Sequence, residues 1–208
     1  MLSRQLVIDA ALELAAHEGF EALGLRAVST KLGVTPMALY RHVGNADALL
    51  REAVSAIVVQ MPVIDPGLPW SEACRSWAHE ARALLASYPG TAHYILQRWF
   101  EVVPMLVQTE SLLATALAHG KRGFDAVAAV NAILMYVLMR VEAERTVRRA
   151  GAVRRSLRRV RAHPEQFPAL HEHLVHYELA RFDEHFDYGL ETLLNGMEQG
   201  RKHVAARR

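Results

Sequence analysis

The amino-acid sequence predicts an all-α protein, in which an N-terminal three-helix domain of the helix-turn-helix type precedes a larger, all-helical domain. Two short amphipathic segments meet at Gly33, and apolar residues recur at helical spacing through most of the remaining chain. No stretch of any length alternates between apolar and polar residues as a half-buried β-strand would.

Size and composition are those of a globular protein. The 208 residues suffice for one or two domains, and 51% are hydrophobic while 22% are charged. The single cysteine, Cys74, excludes an internal disulfide and suits a reducing cytoplasm; it is either a small buried residue or a redox sensor. No signal peptide is visible, and the most apolar segment, 127–141, is short for a membrane span and contains Asn131 and Arg140. We therefore expect a cytoplasmic protein with no membrane partner.

The first and fourth helices are delimited by capping residues. Ser3 can accept a hydrogen bond from the backbone at the start of a helix that we expect to run to about His17, with Gly19 beyond its end. Asn45 is the N-cap of a helix that we expect to run to about Gln60.

Between these helices lies the pattern of a helix-turn-helix. The amphipathic segment 25–32 ends at Gly33, where a tight turn needs a residue that tolerates positive φ. Thr35 can cap the next helix, and Pro36 follows at the first helical position, where its missing N–H costs nothing. Such a pair lays its second helix in the major groove of DNA. The predicted shared core is Val28, Leu32, Val34 and Leu39, with Ser29 where the helices cross.

The same residues resemble a known family. Leu-Gly-Val-Thr-Pro at 32–36 and Ala-Leu-Tyr-Arg-His-Val at 38–43 are similar to the tetracycline-repressor (TetR) family of transcriptional regulators. The resemblance extends to residues 8–14, 19–23 and 45–50. A chance helix-turn-helix match would not continue over so much sequence.

The resemblance implies which residues face DNA. In the family the corresponding positions contact the operator, and here they are Arg26, Thr35, Pro36, Met37, Tyr40, Arg41 and His42. The chemistry agrees, because an arginine can bond a guanine edge and an apolar side chain suits a thymine methyl group. Tyr40 and His42 suit phosphates, and Thr35 either contacts a base or caps its helix.

The local charge indicates DNA binding more clearly than the formal net charge of +2 does. No acidic residue occurs between Glu21 and Asp47, whereas Arg26, Lys31, Arg41 and His42 all fall there. Ala46 stands where many relatives carry a lysine that touches a phosphate. We therefore expect fewer phosphate contacts and a shallower salt dependence than in those relatives.

Prolines within residues 62–69 mark a domain boundary, so we expect domains at 1–60 and 61–208. Beyond the boundary, the spacing predicts helices over about 71–87, 91–100, 104–118, 124–149, and from about 170 or 177 to 198. Residues 186–198 are similar to the C-terminal helix of the TetR branch with a tetracycline-repressor-like regulatory domain. The resemblance thus implies that the second domain binds a ligand and forms the dimer.

Candidates for an effector pocket are aromatic, polar and thioether side chains of the second domain. They are Trp77, His93, Tyr94, Gln97, Trp99, Phe100, Met105, Asn131, Met135 and Met139. Asn131, Met135 and Met139 share one helix face at i, i+4 and i+8. The alternative is that each simply fills a helical core, although the Asn131 amide needs a polar partner. We expect the dimer interface on the long helix from Phe124 and on the last helix, at Phe182, Phe186, Gly189 and Leu193.

Two further clusters have competing interpretations. Eight arginines in the seventeen residues 145–161 are a nucleic-acid contact, a solvated helix face or a mobile loop. His171, His173, His176 and His185 are a metal site or a solvated surface, and their spacing favours the surface, since His171 and His173 point to different helix faces. We predict no metal and no cofactor.

Together these features predict a homodimeric repressor that releases a palindromic operator when a small molecule binds. The alternatives are a regulator of the same fold that answers to a protein partner or acts as an activator, and, more remotely, an all-α enzyme. No catalytic triad, metal spacing or phosphate-binding loop supports an enzyme.

Overall fold

A computed structural model describes residues 2–149, 151–178 and 182–199, and the regular structure within them is helical throughout. The α-helices are α1 (Arg4–Glu18), α2 (Leu25–Leu32), α3 (Pro36–Val43), α4 (Ala46–Val58), α5 (Trp70–Ser87), α6 (Thr91–Gln97), α7 (Val103–Ala118), α8 (Gly123–Arg149), α9 (Gly151–Ala162), α10 (Pro168–Glu172), α11 (Leu174–Glu178) and α12 (Phe182–Gln199). Short 3-10 turns precede α2 and α7, at Phe20–Ala22 and Trp99–Glu101. The all-α prediction is confirmed.

The chain divides into two compact units, 1–142 and 143–208, and α8 runs across the division. This division differs from the expected boundary near residue 60. In the structure α4 packs against α6 and α7, so the first four helices lie in one unit with α5, α6, α7 and the part of α8 up to Glu142.

Helix α1 is the centre of the N-terminal bundle. It packs against α2, α3 and α4, and buries Val7, Ala11 and Leu14. Its start is fixed as predicted, because the Ser3 hydroxyl accepts a hydrogen bond from the Leu6 amide at 3.2 Å.

The turn between α2 and α3 follows the predicted chemistry. Gly33 adopts the left-handed conformation at φ 65°, and its amide donates to the Thr30 carbonyl at 3.2 Å. Ser29 is buried at the crossing, and its hydroxyl donates to the Arg26 carbonyl at 2.9 Å. Val28 and Leu39 are fully buried beneath the two helices, so the recognition helix α3 rests on an apolar support.

Helices α5 to α8 supply the rest of the first unit. Trp77, Ile95 and Leu112 are fully or almost fully buried in this region. By length and composition alone, α8 is apolar enough to cross a membrane over residues 123–148, although the buried core helix of a globular protein meets the same criteria. Its inward face, which includes Ile133 and Leu138, is buried within the protein.

In the second unit, the arginine-rich stretch lies partly in the end of α8, up to Arg149, and partly in helix α9, from Gly151 onward. Of the sequence-based alternatives, the structure favours a solvated helix face over a mobile loop. Leu157 and Val160, three residues apart, lie on one face, where α9 packs against α10 and α11, while Arg155, Arg158 and Arg159 are exposed. The single last helix that we expected from about residue 170 or 177 is instead α10, α11 and α12, and residues 179–181 lie outside the described part.

Candidate DNA-binding surface, domain junction and effector core

The predicted DNA-facing residues lie on one exposed surface. Arg26, Thr35, Pro36, Met37, Tyr40 and Arg41 are exposed, and His42 is half-buried. Leu39 and Val43, on the opposite side of α3, are buried. An open cleft of about 350 Å³ runs along this surface, lined by Leu2, Thr35, Met37, Ala38, Arg41 and His42. The lining of this cleft is therefore both polar and apolar.

The cations of this surface differ in how free they are. The Lys31 ammonium pairs with the Glu13 carboxylate of α1 at 2.8 Å, and this contact lowers the pKa of Glu13. Lys31 therefore ties α2 to α1, and part of its charge is already balanced. Arg26 and Arg41 show no such pairing within the described residues, which leaves them available to an anion.

Thr35 precedes α3 at the N-cap position, but its side chain accepts no capping hydrogen bond. Of the two sequence-based roles for Thr35, the structure leaves the hydroxyl open for a contact outside the helix. Asn45 does cap its helix, because its side-chain oxygen accepts from the Ala48 amide at 2.8 Å.

An ion cluster joins α4, which follows the helix-turn-helix, to the segment after α6. Arg98, just after α6, donates from Nη1 to Oδ1 of Asp47 in the first turn of α4, at 2.6 Å. The other carboxylate oxygen of Asp47 pairs with Arg51 one turn along α4, and Arg98 also lies 3.4 Å from Glu101. The Arg98 guanidinium stands 5.3 Å from the centre of the Tyr94 ring. Tyr94 and Asp47 raise the pKa of Arg98 above its ordinary value.

An aromatic contact lies beside the ion cluster. The rings of Phe20 and Tyr94 are 5.0 Å apart at 58°, and the Phe20 amide donates to the Pro89 carbonyl at 2.6 Å. Gly90, the N-cap residue before α6, has φ 96°, and a Cβ there would stand 3.2 Å from the Phe20 Cβ. Burial raises the pKa of Tyr94, whose hydroxyl is buried without a hydrogen-bond partner. The α1–α2 corner and the start of α6 therefore touch closely.

The ten effector candidates differ widely in exposure. Trp77, Tyr94 and Met105 are buried, and Trp99 is half-buried. The exposed candidates are His93, Gln97, Phe100, Asn131, Met135 and Met139. The last three share one face of α8, as the spacing predicted, but it is the outward face. Their role in binding a ligand stays a prediction.

Buried polar groups in the same helices escaped the sequence reasoning. The indole N–H of Trp77 donates to the Gln108 side-chain oxygen at 3.0 Å, and both side chains are buried. The Thr91 hydroxyl, at the start of α6, is buried with no hydrogen-bond partner. The sequence signal for this hydrogen bond was a single glutamine in the largely apolar helix α7. Its partner, Trp77, is 31 residues away in the chain.

Cys74 and the histidines are also located. Cys74 is fully buried, as the first interpretation predicted, and burial raises the pKa of its thiol to about 12. His171, His173 and His176 are exposed. Within the described part of the chain, no three His, Cys, Asp or Glu side chains are grouped to hold a metal ion.

The helical fold and the exposed recognition helix define a helix-turn-helix DNA-binding protein. Comparison with known families gives two matches: residues 7–53 match the family described as bacterial regulatory proteins, tetR family, and residues 62–201 match the tetracyclin repressor-like C-terminal domain. The chain belongs to the TetR family of transcriptional regulators.

Individual relatives agree with this assignment. The class D tetracycline repressor protein of Escherichia coli is 31% identical over 205 residues, which cover 95% of this chain and 89% of the relative. An HTH-type transcriptional regulator of Saccharopolyspora erythraea is 28% identical over 202 residues, covering 95% and 85%. The crystal structure of the Streptomyces coelicolor TetR family protein ActR in complex with (S)-DNPA shares the fold, with a TM-score of 0.78 at 20% identity over 96% of this chain and 98% of that one.

Proposed function

We propose that this regulator is a cytoplasmic homodimeric repressor that binds a palindromic operator and releases it when a small molecule occupies its helical domain. The observation that carries the proposal is the recognition helix, which exposes Met37, Tyr40 and Arg41 while Leu39 is fully buried beneath it. A two-fold dimer presents two such helices to half-sites one helical turn apart. The proposed domains are 1–60 and 61–208, which agree with the matched ranges 7–53 and 62–201.

We assign base recognition to Arg26 and Met37, and phosphate contacts to Tyr40, Arg41 and His42. Arg26 is exposed at the start of α2 and has the donor geometry for a guanine edge. Met37 is 69% exposed and offers only apolar contact, which favours thymine methyl groups.

The test of DNA recognition is selection from a random duplex library with the purified protein, followed by binding titrations on the selected operator. We expect a palindromic consensus, and Arg26→Ala to relax preference at one base pair of each half-site by about 1–3 kcal/mol. Tyr40→Phe is the matched control, because losing a phosphate contact weakens all sequences alike. Equal losses on every sequence for Arg26→Ala would make Arg26 a phosphate contact.

The proposed dimer uses the outward face of α8. Phe124 is 84% exposed, and Val127, Met135 and Met139 are exposed along the same helix. Apart from Asn131, this exposed face is apolar, and an exposed apolar face of this kind is typical of an interaction site. Phe186 of α12, which we also expected at the interface, is fully buried within the chain and is not available for it.

Light scattering on the purified protein tests this interface. The double substitution Met135→Glu with Met139→Glu should convert the dimer to a monomer, because charges are expensive in an apolar interface. Val107→Glu is the control, since Val107 is 63% exposed on α7. A dimer that survives the double substitution would place the interface elsewhere.

For the effector, we propose a small, largely apolar molecule that reaches the helices carrying Trp77, Tyr94 and Met105, all of which are buried. A relative named a tetracycline repressor protein and a structural neighbour solved in complex with (S)-DNPA support control by a small molecule. Such sites are mostly apolar with a few polar groups that orient the ligand.

Operator release should be measured against a panel of aromatic metabolites and drugs. If no compound changes operator affinity by twofold or more, control by a protein partner would be favoured. Reporter transcription with and without the operator distinguishes repression from activation.

A further inference from the structure

The ion cluster at Asp47 contains a charge of the wrong sign for its place. Asp47 lies in the first turn of α4, five residues after His42, and no acidic residue occurs between Glu21 and Asp47. It is therefore the acidic residue that follows the recognition helix most closely along the chain. A carboxylate near the approaching phosphates repels them, and this repulsion acts over about 10 Å at 0.1 M salt.

Two cations cover this carboxylate, and they belong to different parts of the molecule. Arg51 is one turn away on α4 itself, so it moves with Asp47. Arg98 is 51 residues away in the chain and contacts the other carboxylate oxygen at 2.6 Å. The Asp47 charge is therefore covered on one side by its own helix and on the other by the segment after α6.

The position of Arg98 depends on helix α6. Its backbone amide donates to the Tyr94 and Ile95 carbonyls at the end of α6, and its guanidinium lies over the Tyr94 ring. A shift of α6 by a few ångströms would lengthen the 2.6 Å contact beyond hydrogen-bond distance. Asp47 would then keep Arg51 alone, and more of its negative charge would face outward.

We propose that Arg98 masks the charge of Asp47, and that helix α6 sets DNA affinity by holding this guanidinium against Asp47 or moving it away. The inference rests on the proposed function, since it describes how that function is regulated. It makes the signal an electrostatic one: the recognition helix need not change shape for affinity to fall, because an uncovered carboxylate repels the phosphate backbone.

Titration of the full-length protein with DNA tests the proposal without knowledge of the effector. The variants are Arg98→Gln, Asp47→Asn and the double variant, each measured on the selected operator and on a non-specific duplex, at 0.05 and 0.5 M salt. One uncovered charge about 10 Å from a phosphate changes affinity about twofold in water, so two copies in a dimer give about fourfold. We expect Arg98→Gln to weaken binding by about three- to tenfold at 0.05 M salt, and by less than about twofold at 0.5 M.

The double variant separates charge from mechanical attachment. It lacks both the contact and the charge, so masking predicts an affinity within about twofold of the wild type, and Asp47→Asn alone should bind at least as tightly as the wild type. Glu101→Gln is the matched control, because it removes the other carboxylate near Arg98, 3.4 Å away, and should leave affinity unchanged. Thermal melting of each variant confirms folding.

Each outcome has one interpretation. A double variant as weak as Arg98→Gln would show that the contact acts by holding α4 in place, and the masking proposal would be wrong. An Arg98→Gln protein that binds as tightly as the wild type would overturn it as well. Phosphate repulsion is independent of sequence, so the non-specific duplex reports on masking even if no operator is selected. A selection that yields no operator would therefore count only against the proposed function.

Discussion

Replacing Gly90 with alanine tests the contact between the DNA-binding helices and the start of α6. Gly90 has φ 96°, a left-handed backbone conformation that L residues rarely adopt. The alanine Cβ would stand 3.2 Å from the Phe20 Cβ and 3.5 Å from the Phe20 amide nitrogen. Phe20 is nearly fully buried and donates from its backbone to Pro89 at 2.6 Å, so it has little room to move.

The expected loss of stability can be worked from these values. A left-handed alanine costs about 1–2 kcal/mol. Weakening the hydrogen bond to Pro89 adds about 0.5–1 kcal/mol, and the smaller entropy of the unfolded alanine chain offsets about 0.4–1 kcal/mol. The net effect is about 1.5 kcal/mol, which for a protein of this length lowers Tm by about 3–6 °C.

Thermal unfolding at fixed protein concentration is the assay, because subunit association makes Tm depend on concentration. Gly24→Ser is the matched control. Gly24 has an extended backbone at φ −178° and nothing within 4 Å of a Cβ, and serine is a better N-cap than glycine. A Gly90→Ala protein that melts within about 1 °C of the wild type would refute the close contact between Phe20 and the start of α6.

Three further substitutions or reactions are expected to behave as follows. Leu39→Ala removes a fully buried side chain beneath the recognition helix and should cost about 2–5 kcal/mol in urea unfolding, although every DNA-facing side chain remains. Gln108→Leu should lower the free energy of unfolding by about 1–3 kcal/mol, since it leaves the buried indole N–H of Trp77 without its acceptor. The double variant with Trp77→Phe should lose less than the sum of the two single variants, and additive losses would contradict the hydrogen bond. The thiol of Cys74, with a pKa raised to about 12, stays protonated at pH 8 and should not react with a disulfide reagent until urea unfolds the protein.

The local features of the fold were predictable because their causes are local. Ser3, Gly33 and Asn45 mark helix limits through their own hydrogen bonds or backbone angles, and each does so in the structure. Val28 and Leu39 were predicted in the shared core of the two helices, and both are fully buried. A 3.6-residue period and a capping side chain need no knowledge of the distant chain.

The contacts between helices were not predictable in the same way. Asp47 and Arg98 are 51 residues apart, and Trp77 and Gln108 are 31 apart, so their pairing depends on how α4, α5, α6 and α7 pack. The outward orientation of Met135 is a similar case. The spacing of Asn131, Met135 and Met139 identified a shared face of α8. Only the packing of the helices decides whether such a face meets a ligand, a core or another subunit.

The support beneath the recognition helix also has an evolutionary consequence. Stability is carried by Leu39 and Val43, which are buried, whereas Met37 and Tyr40 are exposed. Substitutions at exposed positions usually change stability by less than about 0.5 kcal/mol. A library varied at the exposed positions 26 and 37, to which base recognition is assigned, should therefore yield folded proteins in large numbers. New operators can then be acquired by drift at these positions without first acquiring compensating mutations.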